Sequence, residues 1–282
     1  MSLNLKGKLL SLDQPLVMGI LNCTEDSFYD GGQYISDQQI VSRAAQILEE
    51  GANLIDMGAV STRPGAADIP EEVEKERIRK AVNLVLQHFP QALISVDTWR
   101  ASVAQLAIDE GAAMINDISG GTFDKAMIPF VAQAKIPYCL MHCPEKPAMM
   151  QQNIQYENLI GDMLRFFARQ IAQLKTLGCN DIIIDPGFGF GKTLEQNYFL
   201  MQNLNAFQTL NLPILVGISR KSMIYKLLDK NPQEAMNGTT VLNTVALLKG
   251  AKILRVHDVK EAVECVKILD YFPKVQDMYF PS

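Results

Sequence analysis

The sequence predicts an α/β fold: a single (β/α)8 or TIM barrel with a short N-terminal cap or hairpin. Three observations lead to this prediction. Eight short apolar runs recur along the 282 residues, amphipathic segments separate them, and the composition does not change along the chain. The runs are continuous and do not alternate with polar residues, which is typical of parallel strands covered on both faces. One barrel commonly fills a chain of this length, with a doubly wound open sheet as the alternative.

The predicted elements follow one another in a regular order. Residues 1–15 are expected to form the cap or hairpin, and residues 16–282 the barrel domain. Each apolar run is expected to be one barrel strand. The eight predicted strands are LVMGILN (16–22), NLIDMGAV (53–60), ALISVDT (92–98), MINDISG (114–120), PYCLMH (137–142), DIIIDPG (181–187), PILVGIS (213–219) and KILRVHD (252–258).

The segments between the runs have helical periodicity, and EEVEKERIRKAVNLVLQHF (71–89) is the clearest of them. Its charged residues pair at a spacing of four on the outer face, as Glu71 and Lys75 do. Its apolar residues form one stripe that would face the strands. This stripe consists of Val73, Ile78, Ala81, Val82 and Val85.

Composition excludes several classes of protein. The net charge of -5 gives no indication of a nucleic-acid or anionic-membrane partner. The first residues lack the apolar core of a signal peptide, and no later stretch resembles a membrane span, so we expect a cytoplasmic protein. The five cysteines are odd in number and scattered, which favours reduced thiols over a disulfide framework.

Two short motifs suggest sites that the residues themselves argue against. IIIDPGFGFGKT (182–193) is close to a nucleotide-binding loop, but Pro186 replaces the first glycine and Asp185 would repel a polyphosphate. CLMHC (139–143) could suggest a metal site. If it is a strand, however, alternation turns both cysteines away from His142.

Polar residues end nearly every predicted strand. In a closed barrel these ends meet at one mouth, where catalysis in this architecture takes place. The alternative is that they are ordinary turn formers and helix caps. The residues are Asn22, Asp97, Asn116, Asp117, His142, Asp185, Ser219, Arg220, Lys221, Arg255 and His257, with the STRPG loop after the second strand.

These residues divide by chemistry. Asp97, Asn116 and Asp185 can donate to and accept from the edge of a nitrogen heterocycle. A second group can bind a polyanion, since arginine grips phosphate oxygens with two hydrogen bonds. That group consists of Arg63, Arg220, Lys221, Arg255 and His257. The division fits a heterocycle that carries a phosphate-type leaving group.

The chain resembles the dihydropteroate synthase family, and the resemblance extends over almost its whole length. Several long motifs occur in the order typical of that family. They are MGILNCTEDSFYDGG (18–32), STRPGA (61–66), SVDT (95–98), INDISGG (115–121), IIIDPGFGFGKT (182–193), VGISRKSMI (216–224) and RVHDV (255–259). The sequence departs from the family pattern at Glu25, at Ala59 and Val60, and after His142.

The resemblance implies a reaction and a set of ligands. The enzyme would condense 7,8-dihydropterin-6-ylmethyl diphosphate with 4-aminobenzoate, assisted by Mg²⁺, and would be a homodimer. The pterin would bind to Asp97, Asn116, Asp185 and Lys221. The diphosphate would bind to Asn22, Arg63, Arg255 and His257, with Asn22 also meeting the metal. The aminobenzoate pocket would consist of Thr62, Pro64, Phe28, Phe190, Lys221 and Ser222.

By the same resemblance, Asp97, Lys221, Arg255 and His257 would be the catalytic residues. Positioning and electrostatics would dominate, because an aniline nitrogen needs no strong base in order to attack. Two alternatives stay open. One is a methyltetrahydrofolate–corrinoid methyltransferase-like pterin barrel, which would not need the cations near residues 220 and 255. The other is a pterin-binding paralogue without turnover.

Overall fold

The structure is a computed structural model that describes residues 1–24, 36–60, 69–146, 149–150 and 154–279, with side chains as far as residue 273. Four of the predicted site residues therefore lie outside the described residues, namely Phe28, Thr62, Arg63 and Pro64. Glu25, one of the departures from the family pattern, also lies outside them.

Eight parallel strands close into one barrel: each strand pairs with the next along the chain, and the last, Ala251–Val256, pairs with the first, Leu16–Asn22. All eight lie within the predicted runs or within one residue of them, so the barrel is confirmed and the open sheet was wrong. The strands are β3 (Leu16–Asn22), β4 (Leu54–Gly58), β5 (Ile94–Asp97), β6 (Met114–Asp117), β7 (Tyr138–Met141), β8 (Ile182–Asp185), β9 (Ile214–Val216) and β10 (Ala251–Val256).

Helices alternate with the strands and cover the outside of the barrel. They are α1 (Asp37–Glu49), α2 (Glu71–His88), α3 (Ala101–Asp109), α4 (Met127–Ala134), α5 (Leu159–Thr176), α6 (Leu194–Gln202), α7 (Ser222–Tyr225), α8 (Met236–Leu248) and α9 (Val259–Tyr279). Two 3-10 helices, Leu204–Leu210 and Pro232–Ala235, precede β9 and α8. In α2 the predicted stripe packs inward, Val73 being only half-buried, and the pair of Glu71 with Lys75 forms at 2.7 Å.

The N-terminal residues form the predicted hairpin, in which β1 (Ser2–Leu5) pairs antiparallel with β2 (Lys8–Ser11). Leu3 and Leu5 alternate with exposed residues and are almost completely buried. They pack with Met18, Met114 and other barrel residues into one apolar cluster. The hairpin therefore closes the barrel at the end opposite the mouth.

The register of the barrel places the polar residues on its inner face. Asp56 is paired with Ile20 on one side and Ser95 on the other, while Asp97 is paired with Gly58 and Asn116. Side chains along a strand alternate between faces, so residues that are paired across strands share a face. The same rule sets Asp97 and Asn116 two residues above the apolar layer that contains Met114.

Candidate active site in the barrel mouth

The centre of the mouth is a buried cluster of acidic and amide groups around Arg255. The guanidinium of Arg255 donates from Nε to Asp56 Oδ2 at 2.5 Å and from Nη2 to Asp97 Oδ2 at 2.9 Å. Asn116 Nδ2 donates to the same oxygen of Asp56 at 3.1 Å. One arginine from β10 thus connects carboxylates from β4 and β5 with an amide from β6.

Asp56 is a site residue that sequence reasoning missed. It is completely buried in the middle of β4, and its strand had been treated only as an apolar run. The signal was present, because a carboxylate inside an otherwise apolar strand must have a partner in the fold. Here the partners are Arg255 and Asn116.

Burial sets the protonation of the acidic groups. It raises the pKa of the Asp97 carboxyl to about 7; the charge of Arg255 opposes this rise, and the neighbouring Asp56 adds to it. Burial also raises the pKa of Asp185, against the opposing charge of Lys221. The mouth therefore holds carboxylates whose charge is costly until a cation or a hydrogen-bond donor joins them.

Two acceptor atoms of this cluster have no partner in the described part of the chain, namely Asp56 Oδ1 and Asn116 Oδ1. Buried polar atoms in folded proteins are almost always hydrogen-bonded. Unsatisfied acceptors beside the barrel axis are therefore suited to a ligand that brings N–H donors. A heterocycle with amino and ring N–H groups meets that requirement.

Lys221 and the loop after β8 form one side of the mouth. Lys221 precedes α7, and its Nζ donates to the Phe188 carbonyl at 2.6 Å. The same Nζ lies 4.6 Å from the centre of the Phe190 ring. Burial lowers the pKa of Lys221 to about 8, although Asp185 acts to raise it. Ser222, the next predicted residue, is the first residue of α7 and is half-buried.

His257 and Asn22 line a cavity of about 410 Å³ together with Arg220 and α1 residues such as Arg43; the residues of the cluster around Arg255 are not part of its lining. Ser219 Oγ is 3.1 Å from His257 Nδ1 and accepts the His257 backbone N–H at 3.1 Å. Burial, together with the charge of Arg255, lowers the pKa of His257 to about 4. The imidazole is therefore neutral near pH 7.

Several other strand-end residues have structural partners. Asp117 accepts hydrogen bonds from the backbone of Ser119 and Gly121 and from the hydroxyl of Tyr138, at 2.7, 2.8 and 2.6 Å. Arg220 forms a two-pronged ion pair with Asp258 at 3.0 and 2.5 Å. For Asp117 the turn-forming alternative was therefore correct, and Arg220 already has a carboxylate partner.

Comparison with known proteins identifies the family. Residues 18–257 match the family model described as pterin binding enzyme. The dihydropteroate synthase of Escherichia coli K12 is 41% identical over 272 residues, which cover 96% of each chain. The chain belongs to the dihydropteroate synthase family.

Solved structures of dihydropteroate synthases have the same fold. The Yersinia pestis enzyme, solved in complex with a sulfonamide drug, is 41% identical and superposes with a TM-score of 0.91. That comparison covers 97% of this chain and 100% of the other. The Xanthomonas albilineans enzyme, solved with 4-aminobenzoic acid, is 34% identical, with a TM-score of 0.89 over 96% and 98% of the two chains.

In this member of the dihydropteroate synthase family, the described site residues fall into three groups. In the first group, Arg255 donates hydrogen bonds to Asp97 and Asp56. Asn116 also donates to Asp56 and is connected to Arg255 in this way. Asp185 and Lys221 form a second group, in which the charge of each shifts the pKa of the other, and Asn22 and His257 form a third, lining the cavity beside α1. Among the described residues, no helix is both long enough and apolar enough to cross a bilayer.

Proposed function

We propose that this protein condenses 7,8-dihydropterin-6-ylmethyl diphosphate with 4-aminobenzoate, forming 7,8-dihydropteroate and pyrophosphate. The observation that carries the proposal is the buried cluster of Asp56, Asp97 and Asn116 around Arg255 at the mouth of the barrel. The relatives that share this fold at about 41% identity are dihydropteroate synthases. These relatives favour the synthase over the methyltransferase alternative.

The pterin ring is proposed to bind Asp97, Asn116, Asp185 and Lys221. Asn116 Oδ1 and the Asp185 carboxylate are acceptors for the amino and ring N–H groups, and Lys221 is a donor. Asp56 joins this group, since its Oδ1 atom is buried without a partner in the described residues. Hydrogen bonds that involve an ionised partner are about twice as strong as neutral ones, so the carboxylates would contribute most of the ring's affinity.

The diphosphate is proposed to bind on the side of the mouth that contains Asn22, Arg255 and His257. Arg63, the fourth predicted ligand, lies outside the described residues. Because Ser219 contacts Nδ1 of His257, Nε2 is the ring nitrogen left for an anion. A neutral imidazole with its proton on Nε2 can donate that hydrogen bond without carrying a charge.

The reaction follows from this division of charge. The bond between the pterin methylene and the diphosphate oxygen breaks, and its electron pair leaves with pyrophosphate. The positive charge left on the dihydropterin is stabilised by the carboxylates of Asp97 and Asp185 in a site of low dielectric constant. The amine nitrogen of 4-aminobenzoate then forms the new carbon–nitrogen bond and loses one proton. Arg255 and His257 stabilise the leaving anion.

The aminobenzoate is proposed to lie against Phe190, Lys221 and Ser222. The ring of Phe190 offers an apolar face, and the ammonium of Lys221 supplies a charge for the carboxylate of the substrate. Thr62, Pro64 and Phe28 complete the proposed pocket and lie outside the described residues.

Magnesium is proposed as the cofactor, with Asn22 as its protein ligand. The Asn22 side chain is exposed at the end of β3 and offers an amide oxygen, the type of donor that Mg²⁺ accepts. No cluster of three acidic, histidine or cysteine ligands occurs within the described ranges. This donor set fits a metal that retains waters and binds substrate phosphates, where it would neutralise charge on the leaving group.

We also propose that the protein is a cytoplasmic homodimer. Its five cysteines are free, as expected in a reducing compartment. Helices α8 and α9 pack together and carry large apolar side chains that are more than half exposed, a feature that marks association surfaces. These residues are Val241, Leu248, Ile268, Tyr271 and Phe272.

The test is pyrophosphate release with both substrates and Mg²⁺, followed together with the formation of dihydropteroate. We expect the two products in equal amounts, none when 4-aminobenzoate is omitted, and none from an Asp185→Ala variant that keeps its fold. A wild-type protein that binds the pterin but releases no pyrophosphate would instead be the paralogue without turnover.

A further inference from the structure

Lys192 is the lysine of the GFGFGKT segment, and the proposed reaction does not use it. It lies immediately before α6, whose N-cap is Thr193, and it is only 3% exposed. Its Nζ donates to the carbonyls of Gly187 and Phe190 at 2.9 Å each, and it lies 3.3 Å from His142 Nδ1. The side chain therefore turns back into its own loop and does not project towards a phosphate.

The loop that Lys192 holds is the loop that forms one wall of the proposed aminobenzoate pocket. Phe188, between the two bonded carbonyls, accepts the hydrogen bond from Lys221 Nζ at 2.6 Å. The ring of Phe190 lies 4.6 Å from the same Nζ. The Phe190 ring and the Lys221 ammonium would both meet the substrate. The positions of both therefore depend on the backbone path of residues 187–190.

The loop has one backbone hydrogen bond of its own, from the Phe190 N–H to the Gly187 carbonyl at 3.2 Å, and side chains bond to its other backbone groups. Gly187 and Gly189 have φ angles of 69° and 82°, in the left-handed region, so the loop follows a path that ordinary residues rarely adopt. A Cβ atom on Gly187 would clash with the backbone oxygen of His142, so the loop lies directly against β7. Other side chains also bond to it: Asp185 accepts the Gly187 N–H at 2.7 Å, Asn197 accepts the Gly189 N–H at 2.7 Å, and Lys221 donates to the Phe188 carbonyl.

The burial of the Lys192 ammonium costs folding free energy. Burial lowers the pKa of its ammonium to about 7, and within the described part of the chain no carboxylate lies within ion-pair distance of it. A buried amine without an ionic partner is expensive and is expected to have a compensating role. Holding two carbonyls of the loop beside the proposed aminobenzoate pocket is such a role.

We propose that Lys192 is a positioning residue for 4-aminobenzoate. By donating hydrogen bonds to the carbonyls of Gly187 and Phe190, it fixes the position of the Phe190 ring. It also fixes the Phe188 carbonyl, which accepts the hydrogen bond from Lys221. The inference rests on the proposed function. Asp185 and Lys221 of the proposed pterin subsite also bond to this loop, but Asp56, Asp97 and Asn116 lie on β4, β5 and β6, away from it, so the pterin subsite depends on Lys192 to a lesser degree.

The test compares Michaelis constants for the two substrates in Lys192→Met, which keeps the length of the side chain and removes its donors. With saturating pterin diphosphate, we expect the KM for 4-aminobenzoate to rise about tenfold, the loss that corresponds to one charge-assisted hydrogen bond. The KM for the pterin diphosphate should change by less than about threefold, a difference well below one such bond. Lys192→Gln retains a shorter donor and should give an intermediate value for 4-aminobenzoate.

Gln170→Met is the matched control. Gln170 is 4% exposed and donates to the Gly120 carbonyl at 2.6 Å, so its replacement also removes a buried bond to a loop glycine, but in the loop that follows β6. It should lower the melting temperature without separating the two KM values. If Lys192→Met does not fold, the two KM values of Lys192→Gln are compared with those of the wild type. A rise confined to the KM for 4-aminobenzoate then supports the role of Lys192.

Equal changes in both KM values, or a loss of stability alone, would overturn the role of Lys192. Failure of the proposed function would look different, because the wild-type protein itself would then form no dihydropteroate.

Discussion

Replacing Asp97 with asparagine should remove a pH-dependent loss of stability from the unliganded protein, so that the variant gains stability relative to wild type as the pH rises. Asp97 is 9% exposed, and burial raises the pKa of its carboxyl from 3.8 to about 7, with Arg255 opposing and Asp56 reinforcing the rise. The folded state therefore binds the proton more tightly than the unfolded state. As the pH rises through this window, the carboxyl ionises in the folded protein at a cost, and stability falls.

The magnitude follows from the two pKa values. A rise from 3.8 to about 7 corresponds to about 4 kcal/mol of stability lost once the pH is above both values. Asparagine has nearly the same shape and does not titrate. The free energy of unfolding of Asp97→Asn, relative to wild type, should therefore increase by up to about 4 kcal/mol between pH 4 and pH 8.

The assay is urea unfolding of both proteins across this pH range, with Asp109→Asn, on the exposed face of α3, as a control for the substitution itself. Calorimetry on Asp97→Asn should give a pterin affinity that is weaker by about 10- to 100-fold, because one charge-assisted hydrogen bond is lost. A difference in unfolding free energy that stays constant, or that decreases as the pH rises, would refute the reasoning.

Three further predictions follow from other parts of the molecule. Asp56→Asn should destabilise the fold by about 1.5–3 kcal/mol, since Arg255 loses a bond to a charged partner; unchanged thermal unfolding would contradict this. Removal of Mg²⁺ with EDTA should stop pyrophosphate release. Asn22→Ala should raise the Mg²⁺ concentration needed for half-maximal rate about tenfold. An unshifted Mg²⁺ titration would argue against Asn22 as a ligand. Ile268→Asp on α9 should convert a dimer into a monomer in sedimentation experiments, with Lys267→Asp as a neighbouring control; a monomeric wild type would rule out the homodimer.

The fold could be predicted almost completely because its signals are local. Each barrel strand is a short continuous apolar run, and each helix has a stripe that packs on it, as α2 does with Ile78 and Val82. Parallel strands must be covered on both faces, so the repeated pattern leaves few architectures. The hairpin at residues 2–11 was also predictable, from its position before the first run.

The site could be predicted only in part. Residues at strand ends were found because the barrel geometry brings such ends together, as with Asp97, Asn116 and Arg255. Asp56 was missed because it lies inside a strand, where its role depends on a partner 199 residues away. The role of Lys192 could not be predicted, because its contacts with loop carbonyls depend on backbone angles that no sequence pattern specifies.

The central claim is that the carboxylates inside the barrel hold the pterin ring while Arg255 and His257 hold its diphosphate. A crystal structure with a bound pterin and pyrophosphate tests it most directly. We predict hydrogen bonds from the ring to Asp97, Asn116 and Asp185, with pyrophosphate beside Arg255, His257 and Asn22. A pterin bound away from these carboxylates, or pyrophosphate at the hairpin end of the barrel, would contradict the claim.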